Sequence, residues 1–172
     1  AKLLTMITCK MATLDMAGVG LEMESERPNW YDALNGLPGM FGSSISETLE
    51  LKRFVRFVRQ ALERLKLTPE TPLLLPVEVH EFLTRLDALV ARNLKSKSAE
   101  ADFRYWDESA TLKEQYRKTT RMGIDGAEAG IKPDALSAIL DRFERKLDRA
   151  VSKAMDRKTG VIKTYFRTEV LK

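Results

Sequence analysis

The sequence predicts a mainly α-helical protein built from antiparallel helical hairpins, with two short β-strands. Four long segments between residues 45 and 155 carry one apolar stripe each, at the 3.6-residue period of a helix. Proline and glycine separate these segments. Residues 19–24 alternate in polarity and residues 161–170 are rich in β-branched and aromatic side chains, as is typical of strands. With 172 residues the chain is long enough to form one helical domain over 1–172.

The chain begins with a predicted short helix and a brief extended segment. Residues 2–16 repeat apolar side chains at close to a helical period, and a pair of glycines ends that pattern. Over residues 19–24 apolar side chains alternate with glycine and glutamate. An extended backbone places Glu22 and Glu24 on one side, together with Glu26 if the extension continues.

Capping and proline signals mark where the later helices begin. Ser44 and Glu47 fit the N-cap and N3 positions of a capping box. Pro76 and Pro133 are well placed to open two further helices, and Ser98 is a candidate cap for the helix between them. The four predicted helices cover about 45–65, 76–94, 100–120 and 133–155.

The helix predicted at 100–120 has a poorer period than the others, and its apolar residues are Phe103, Trp106, Ala110 and Tyr116. Residues 68–72 read as a linker, because threonine and proline recur there. We expect the strand at 161–170 to pair with the extended segment at 19–24.

Composition and single residues exclude several kinds of protein. The net charge is +4, but basic and acidic residues are interleaved along the predicted helices. Nucleic-acid binding would need the basic residues on one face, so this pattern does not favour it. Cys9 and His80 are the only residues of their types, so we expect no disulfide, metal site or cofactor; His80 is expected at the edge of the core rather than in catalysis. No apolar run is long enough to span a membrane, and the expected location is the cytoplasm.

Residues 18–44 are predicted to form an active-site loop, because glycine and proline recur too often for a helix. Trp30 offers a flat apolar face of the kind that covers the C–H groups of a sugar ring. Asp32 lies two residues away, and a carboxyl group desolvated by that face stays protonated and can act as a general acid. Tyr31 and Asn35 are candidate sugar-binding residues. Alternatively, Trp30 anchors the core and Asp32 caps a short helical turn.

A second carboxylate is needed if water attacks the sugar. Glu22 and Glu24 are the candidates, followed by Glu26, with Glu22 favoured because it lies close to the loop yet within the extended segment. The alternative is that these glutamates form a solvated acidic edge. Glu47 is expected to serve the capping box instead.

The sequence also resembles a known family. Asn29–Gly36 reads Asn-Trp-Tyr-Asp-Ala-Leu-Asn-Gly and is similar to the Asp-Trp-Asn-Asp-x-Leu-Asn signature of cellobiose phosphorylases and related inverting disaccharide phosphorylases. Further similarity to a cellobiose-phosphorylase-like branch lies in Gly20–Glu24, Pro28–Trp30, Asn35–Gly39 and Ser46–Arg53. The resemblance is specific over residues 5–55 and extends more weakly to Tyr165 and Phe166.

The resemblance implies roles for two loop residues. The last aspartate of the signature is the general acid of that family and aligns with Asp32, and the signature tryptophan lines the sugar subsite and aligns with Trp30. Asn29 stands where the signature has its first aspartate, and Tyr31 where it has asparagine. Members of the family close an α/α toroid of six helical hairpins. About five helices cannot close such a toroid, so the chain is expected to be one piece of it, and two copies are expected to complete each other as a homo-oligomer.

The leading hypothesis is therefore a carbohydrate-active enzyme that cleaves a β-glucosidic bond in an oligosaccharide or glucoside. Asp32 protonates the glycosidic oxygen, and either phosphate or water attacks the anomeric carbon; the residues leave this choice open. The rival hypothesis is a non-catalytic helical fragment or module that binds sugar or protein through the loop around Trp30.

Overall fold

The structure is a computed structural model that describes residues 1–22, 42–65, 67–68 and 70–167. Within these residues the protein is mainly helical, as the sequence predicts. The described helices are α1 (Lys2–Met11), α2 (Ile45–Arg64), α3 (Val77–Leu94), α4 (Ala99–Thr120) and α5 (Pro133–Ala154). The described strands are short: β1 (Leu21–Glu22), β2 (Gly42–Ser44), β3 (Leu73–Pro76), β4 (Glu128–Ile131) and β5 (Tyr165–Arg167).

Local sequence signals start the helices where they were expected. At the start of α2 the Ser44 hydroxyl accepts a hydrogen bond from the Glu47 backbone N–H at 3.4 Å. The Ser98 hydroxyl caps α4 in the same way, accepting from the Ala101 N–H at 3.2 Å. Pro133 opens the first turn of α5, where a missing N–H costs no intrahelical bond. The predicted positions of these helix starts are confirmed.

A large apolar core joins the helices, and a smaller separate cluster contains Val19, Ile45 and Ala154. Helix α5 packs along α2 and also contacts α3, while α3 packs against α1 and α4. Helices α3 and α5 therefore supply the centre of the core. Its most deeply buried side chains include Ile7, Met11, Leu51, Val55, Leu83, Leu86, Leu140, Phe143 and Leu147.

The strand order corrects one expectation. Strand β2 lies between β1 and β5 and is antiparallel to both. The tail at 165–167 therefore pairs with Gly42–Ser44, and the predicted pairing with 19–24 is wrong. The reason is a tertiary contact: the Ser43 hydroxyl is bound by Asp15, which holds β2 beside β1.

Two further differences concern the ends of elements. Strands β3 and β4 pair in an antiparallel ladder that was not expected from the sequence. The two strands lie far apart in the chain, and no turn signal joins them. Helix α1 ends at Met11, short of the expected residue 16. Beyond it the chain folds back on β1, since the Glu22 N–H donates to the Thr13 carbonyl at 2.8 Å and Leu14 bridges to Leu21.

Candidate functional site

The ends of the predicted active-site loop are held together by the first sheet. In the β1–β2 register Leu21 pairs with Ser44 and Glu22 with Ser43, so the chain leaves β1 and re-enters β2 at neighbouring positions. We call residues 13–22 and 42–44 the loop stem. Most of the predicted site residues, namely Glu24, Trp30, Tyr31, Asp32 and Asn35, lie outside the described residues, as does Glu26. Glu22 is described, and it ends β1.

Asp15 is the centre of the loop stem. Its carboxylate accepts hydrogen bonds from the backbone N–H groups of Val19 at 2.8 Å and Gly20 at 3.0 Å, and from the Ser43 hydroxyl at 2.5 Å. Asp15 is only 6% exposed, and charge-assisted bonds of this kind are among the strongest available to a buried carboxylate. The Asp15 N–H also donates to the Gly20 carbonyl at 2.9 Å. One side chain thus fixes both sides of the stem.

Gly20 is required by the close approach of β2. A Cβ atom at this position would lie 2.4 Å from the Ser43 hydroxyl oxygen and 2.6 Å from its Cβ, well inside van der Waals contact. From the sequence, Gly20 is one of the two glycines expected to end a helical pattern. The structure shows the additional reason, which is that the two sides of the stem touch here.

Glu22 lies against helix α4. Its Oε1 atom accepts a hydrogen bond from the Trp106 indole N–H at 2.6 Å. Desolvation of this carboxyl group raises the pKa of Glu22 above its ordinary value, against the opposing effects of the Trp106 hydrogen bond and the positive charge of Lys113. A carboxylate with a raised pKa is a stronger base than an ordinary glutamate, which is the property needed to take a proton from water.

The side of α4 that borders its buried face and adjoins Glu22 is aromatic. The Phe103 and Trp106 rings have centroids 5.4 Å apart and planes inclined by 45°, and Phe103 is 52% exposed. Both residues were expected among the apolar residues of this helix; Phe103 is exposed instead of buried, whereas Trp106 is half-buried. The buried face consists of Asp102, Tyr105, Ser109 and Leu112. Because Asp102 and Ser109 are polar, the hydropathy pattern of the sequence does not reveal that this face is buried.

Asp102 forms a buried polar cluster next to the loop stem. Its carboxylate accepts hydrogen bonds from Lys153 and, at 2.9 Å, from the Asn93 amide, and it lies 3.7 Å from both Lys146 and Arg149. We call these residues the Asp102 cluster. Burial by itself raises the pKa of Asp102, but the bonds from Lys153 and Asn93 and the charges of the lysines outweigh it, so the pKa is lowered.

The Asp102 cluster also contacts the stem directly. The Lys153 ammonium donates to the Ala17 carbonyl at 2.7 Å, and the ideal Cβ position of Gly18 is 3.0 Å from an Asp102 oxygen. The Tyr105 hydroxyl donates to the Met11 carbonyl at 2.7 Å, which ties α4 to the end of α1. Residues of α4 and α5 therefore contact the loop stem at Ala17 and Gly18 and hold it in place.

Other candidate groups are placed elsewhere. Glu47 contributes its backbone N–H to the cap of α2, while its carboxylate binds the Lys10 ammonium at 2.5 Å. His80 is half-buried on α3. A cavity of ≈ 210 Å³ between the end of α3 and the start of α4 is lined by residues that include Arg92, Asn93 and Tyr105, but by none of the loop stem.

Neither a metal site nor a membrane span is found in the part of the chain that the structure describes. No group of three or more histidine, cysteine, aspartate or glutamate side chains is placed to hold a metal ion there. None of the helices described combines the length and hydrophobicity needed to cross a bilayer.

Comparison with known proteins finds no family model that matches the sequence. No curated protein matches it either.

Proposed function

We propose that the chain is a carbohydrate-active enzyme domain, or one piece of a larger toroidal enzyme, that cleaves a β-glucosidic bond. The observation that carries the proposal is the position of Glu22. This carboxylate ends a fixed strand at the mouth of the loop that contains Asp32, its pKa is raised by desolvation, and an aromatic surface adjoins it. The resemblance of Asn29–Gly36 to the phosphorylase signature supports the same reaction class.

The proposed roles follow from the chemistry of glycoside cleavage. Asp32 donates its proton to the glycosidic oxygen as the bond to the anomeric carbon breaks. In hydrolysis Glu22 takes a proton from the water that attacks the opposite face of the sugar, and the configuration inverts. In phosphorolysis the attacking phosphate needs no protein base, so Glu22 is dispensable for the bond-forming step.

Two isosteric substitutions test these roles. Asp32→Asn removes the general acid, and we expect turnover of an aryl β-glucoside with a poor leaving group, or of cello-oligosaccharides, to fall on the order of a hundred-fold or more. Glu22→Gln keeps an oxygen that accepts the Trp106 hydrogen bond but removes the base. Assays with and without phosphate then separate the reactions, because Glu22→Gln lowers hydrolysis by a similar factor and leaves phosphorolysis much less affected.

Asp125→Asn is the matched control, since Asp125 is exposed in the segment after α4, where its backbone N–H binds Glu78 at the start of α3. Unchanged turnover in Asp32→Asn contradicts the assignment of the general acid. A folded wild-type chain that cleaves none of these substrates under either condition contradicts the enzymatic proposal and favours a binding module. Retained sugar affinity in Asp32→Asn together with lost turnover supports the proposal.

A further inference from the structure

We propose that Phe103, Trp106 and Glu22 form a saccharide-binding subsite on the side of α4 that adjoins Glu22. The substrate class rests on the proposed function. The location rests on the described residues alone, and neither residue of α4 was a site candidate from the sequence.

Helix geometry sets these aromatic side chains apart from the core. Positions 103, 106, 110 and 113 share one face of α4, because residues three and four apart are neighbours on a helix. The adjacent face, about 100° around the helix, is buried, with Asp102 2% and Tyr105 1% exposed. Phe103 is 52% exposed, so the core does not account for its position. The inclined rings of Phe103 and Trp106 present two adjoining apolar surfaces.

The polar groups of this face complement those surfaces. The hydrogen bond from the Trp106 indole N–H to Glu22 Oε1 fixes the orientation of the ring and uses only one oxygen of the carboxylate. The other oxygen is a second acceptor, which can bind a hydroxyl group of the sugar or, in hydrolysis, the attacking water. Lys113 lies on the same side of α4, and its positive charge favours the ionised form of Glu22. Its ammonium group is an additional hydrogen-bond donor on this side of the helix.

A sugar fits this combination better than an apolar partner does. A pyranose ring has a face of C–H groups that can cover an aromatic ring, and hydroxyl groups around its edge that can satisfy a carboxylate and an ammonium. A hydrophobic helix or a lipid surface would cover the rings but would also remove water from the charged Glu22 carboxylate without offering it a new hydrogen bond, which is unfavourable.

The decisive measurement is the indole N–H signal of Trp106 in a ¹H–¹⁵N NMR spectrum of the whole chain, assigned by loss of the signal in Trp106→Phe. The titration uses cello-oligosaccharides and the Asp32→Asn variant, so that cleavage does not deplete the ligand. We expect the signal to shift in a saturable manner. Sorbitol, which has hydroxyl groups but no flat C–H face, should leave it unmoved.

Calorimetric titration of side-chain variants tests the same subsite. Loss of one covering ring face removes a few tens of Å² of apolar contact, so Trp106→Ala should weaken binding about tenfold. Phe103→Ala should weaken it several-fold. Phe57→Ala is the matched control, because Phe57 is an exposed phenylalanine, 59% accessible, on the different helix α2. Melting temperatures identify any variant that has lost its fold. If Trp106→Ala is such a variant, the affinity of Phe103→Ala and the NMR titration of Trp106 test the subsite.

The outcomes separate this inference from the proposed function. An unmoved Trp106 signal at saturating oligosaccharide, or unchanged affinity in the folded alanine variants, overturns the subsite even if the wild-type chain cleaves glucosides. Saturable binding through Trp106 in a chain that cleaves nothing supports the subsite and contradicts the enzymatic proposal.

Discussion

Lys146 provides the most quantitative prediction, because it is a buried cation. Its side chain is 1% exposed, its ammonium donates to Asn93 Oδ1 at 2.9 Å, and it lies 4.0 Å from the centre of the Tyr105 ring. Burial lowers its pKa to about 8, with the Asp102 carboxylate opposing and the charges of Lys153 and Arg149 reinforcing that shift. A lysine in an unfolded chain has a pKa of about 10.4.

The direction of the pH effect follows from proton binding in the two states. Between these pKa values the unfolded chain holds a proton on this lysine and the folded chain does not, so the folded state gains stability as the pH rises. At about 1.4 kcal/mol per pKa unit, and allowing for partial titration at the lower end, the gain between pH 7.5 and 9.5 is about 2 kcal/mol. Lys146→Met removes the titrating group while keeping a long apolar side chain.

Urea titrations at pH 7.5 and 9.5 give the free energy of unfolding at each pH, and the difference between the two values is the gain. We expect the free energy of unfolding of the wild-type protein to rise by about 2 kcal/mol relative to Lys146→Met. Taking the difference cancels the tyrosines and other groups that titrate in both proteins. Lys97→Met, at an exposed position between α3 and α4, should follow the wild type. Parallel curves for wild type and Lys146→Met would refute the placement of a buried, proton-losing ammonium in the Asp102 cluster.

Two stability predictions concern the groups that hold the loop stem. Asp102→Asn leaves buried cations without their counter-charge and should lower the free energy of unfolding at neutral pH by about 3–5 kcal/mol in urea titrations; Asp107→Asn, on the exposed side of α4, should change it little, and equal effects would contradict the cluster. Gly20→Ala places a Cβ atom 2.4 Å from the Ser43 hydroxyl and should cost about 1–3 kcal/mol in thermal unfolding. An unchanged midpoint for Gly20→Ala would show that the two sides of the stem are not in contact.

Helix positions were predictable because their signals are local. Ser44 and Ser98 cap their helices through backbone N–H groups three residues ahead, and Pro133 opens α5 through its own ring geometry. Each signal acts within one turn of the chain, so it can be recognised before any tertiary contact is known. Glu22 was likewise predicted at the loop mouth from its place in an alternating segment.

The contacts that organise the site were harder to predict from the sequence. Asp15 had been taken as part of a helix end, whereas in the structure it binds Ser43, which lies 28 residues away. Trp106 had been expected only as one of the apolar residues of its helix, whereas its indole N–H also binds Glu22, 84 positions earlier in the chain. The hydropathy pattern of α4 did not predict its buried face, because that face carries the charged residue Asp102. The charge of Asp102 is balanced by lysines on α5.

The sequence by itself determined the mainly helical class and the starts of the principal helices, since caps and periodic stripes depend on neighbouring residues. Only the tertiary structure decided the strand order β1–β2–β5, the buried face of α4 and the contact between Glu22 and Trp106. These features depend on which distant groups satisfy one another's charges and hydrogen bonds, and that requirement is met only when the chain has folded.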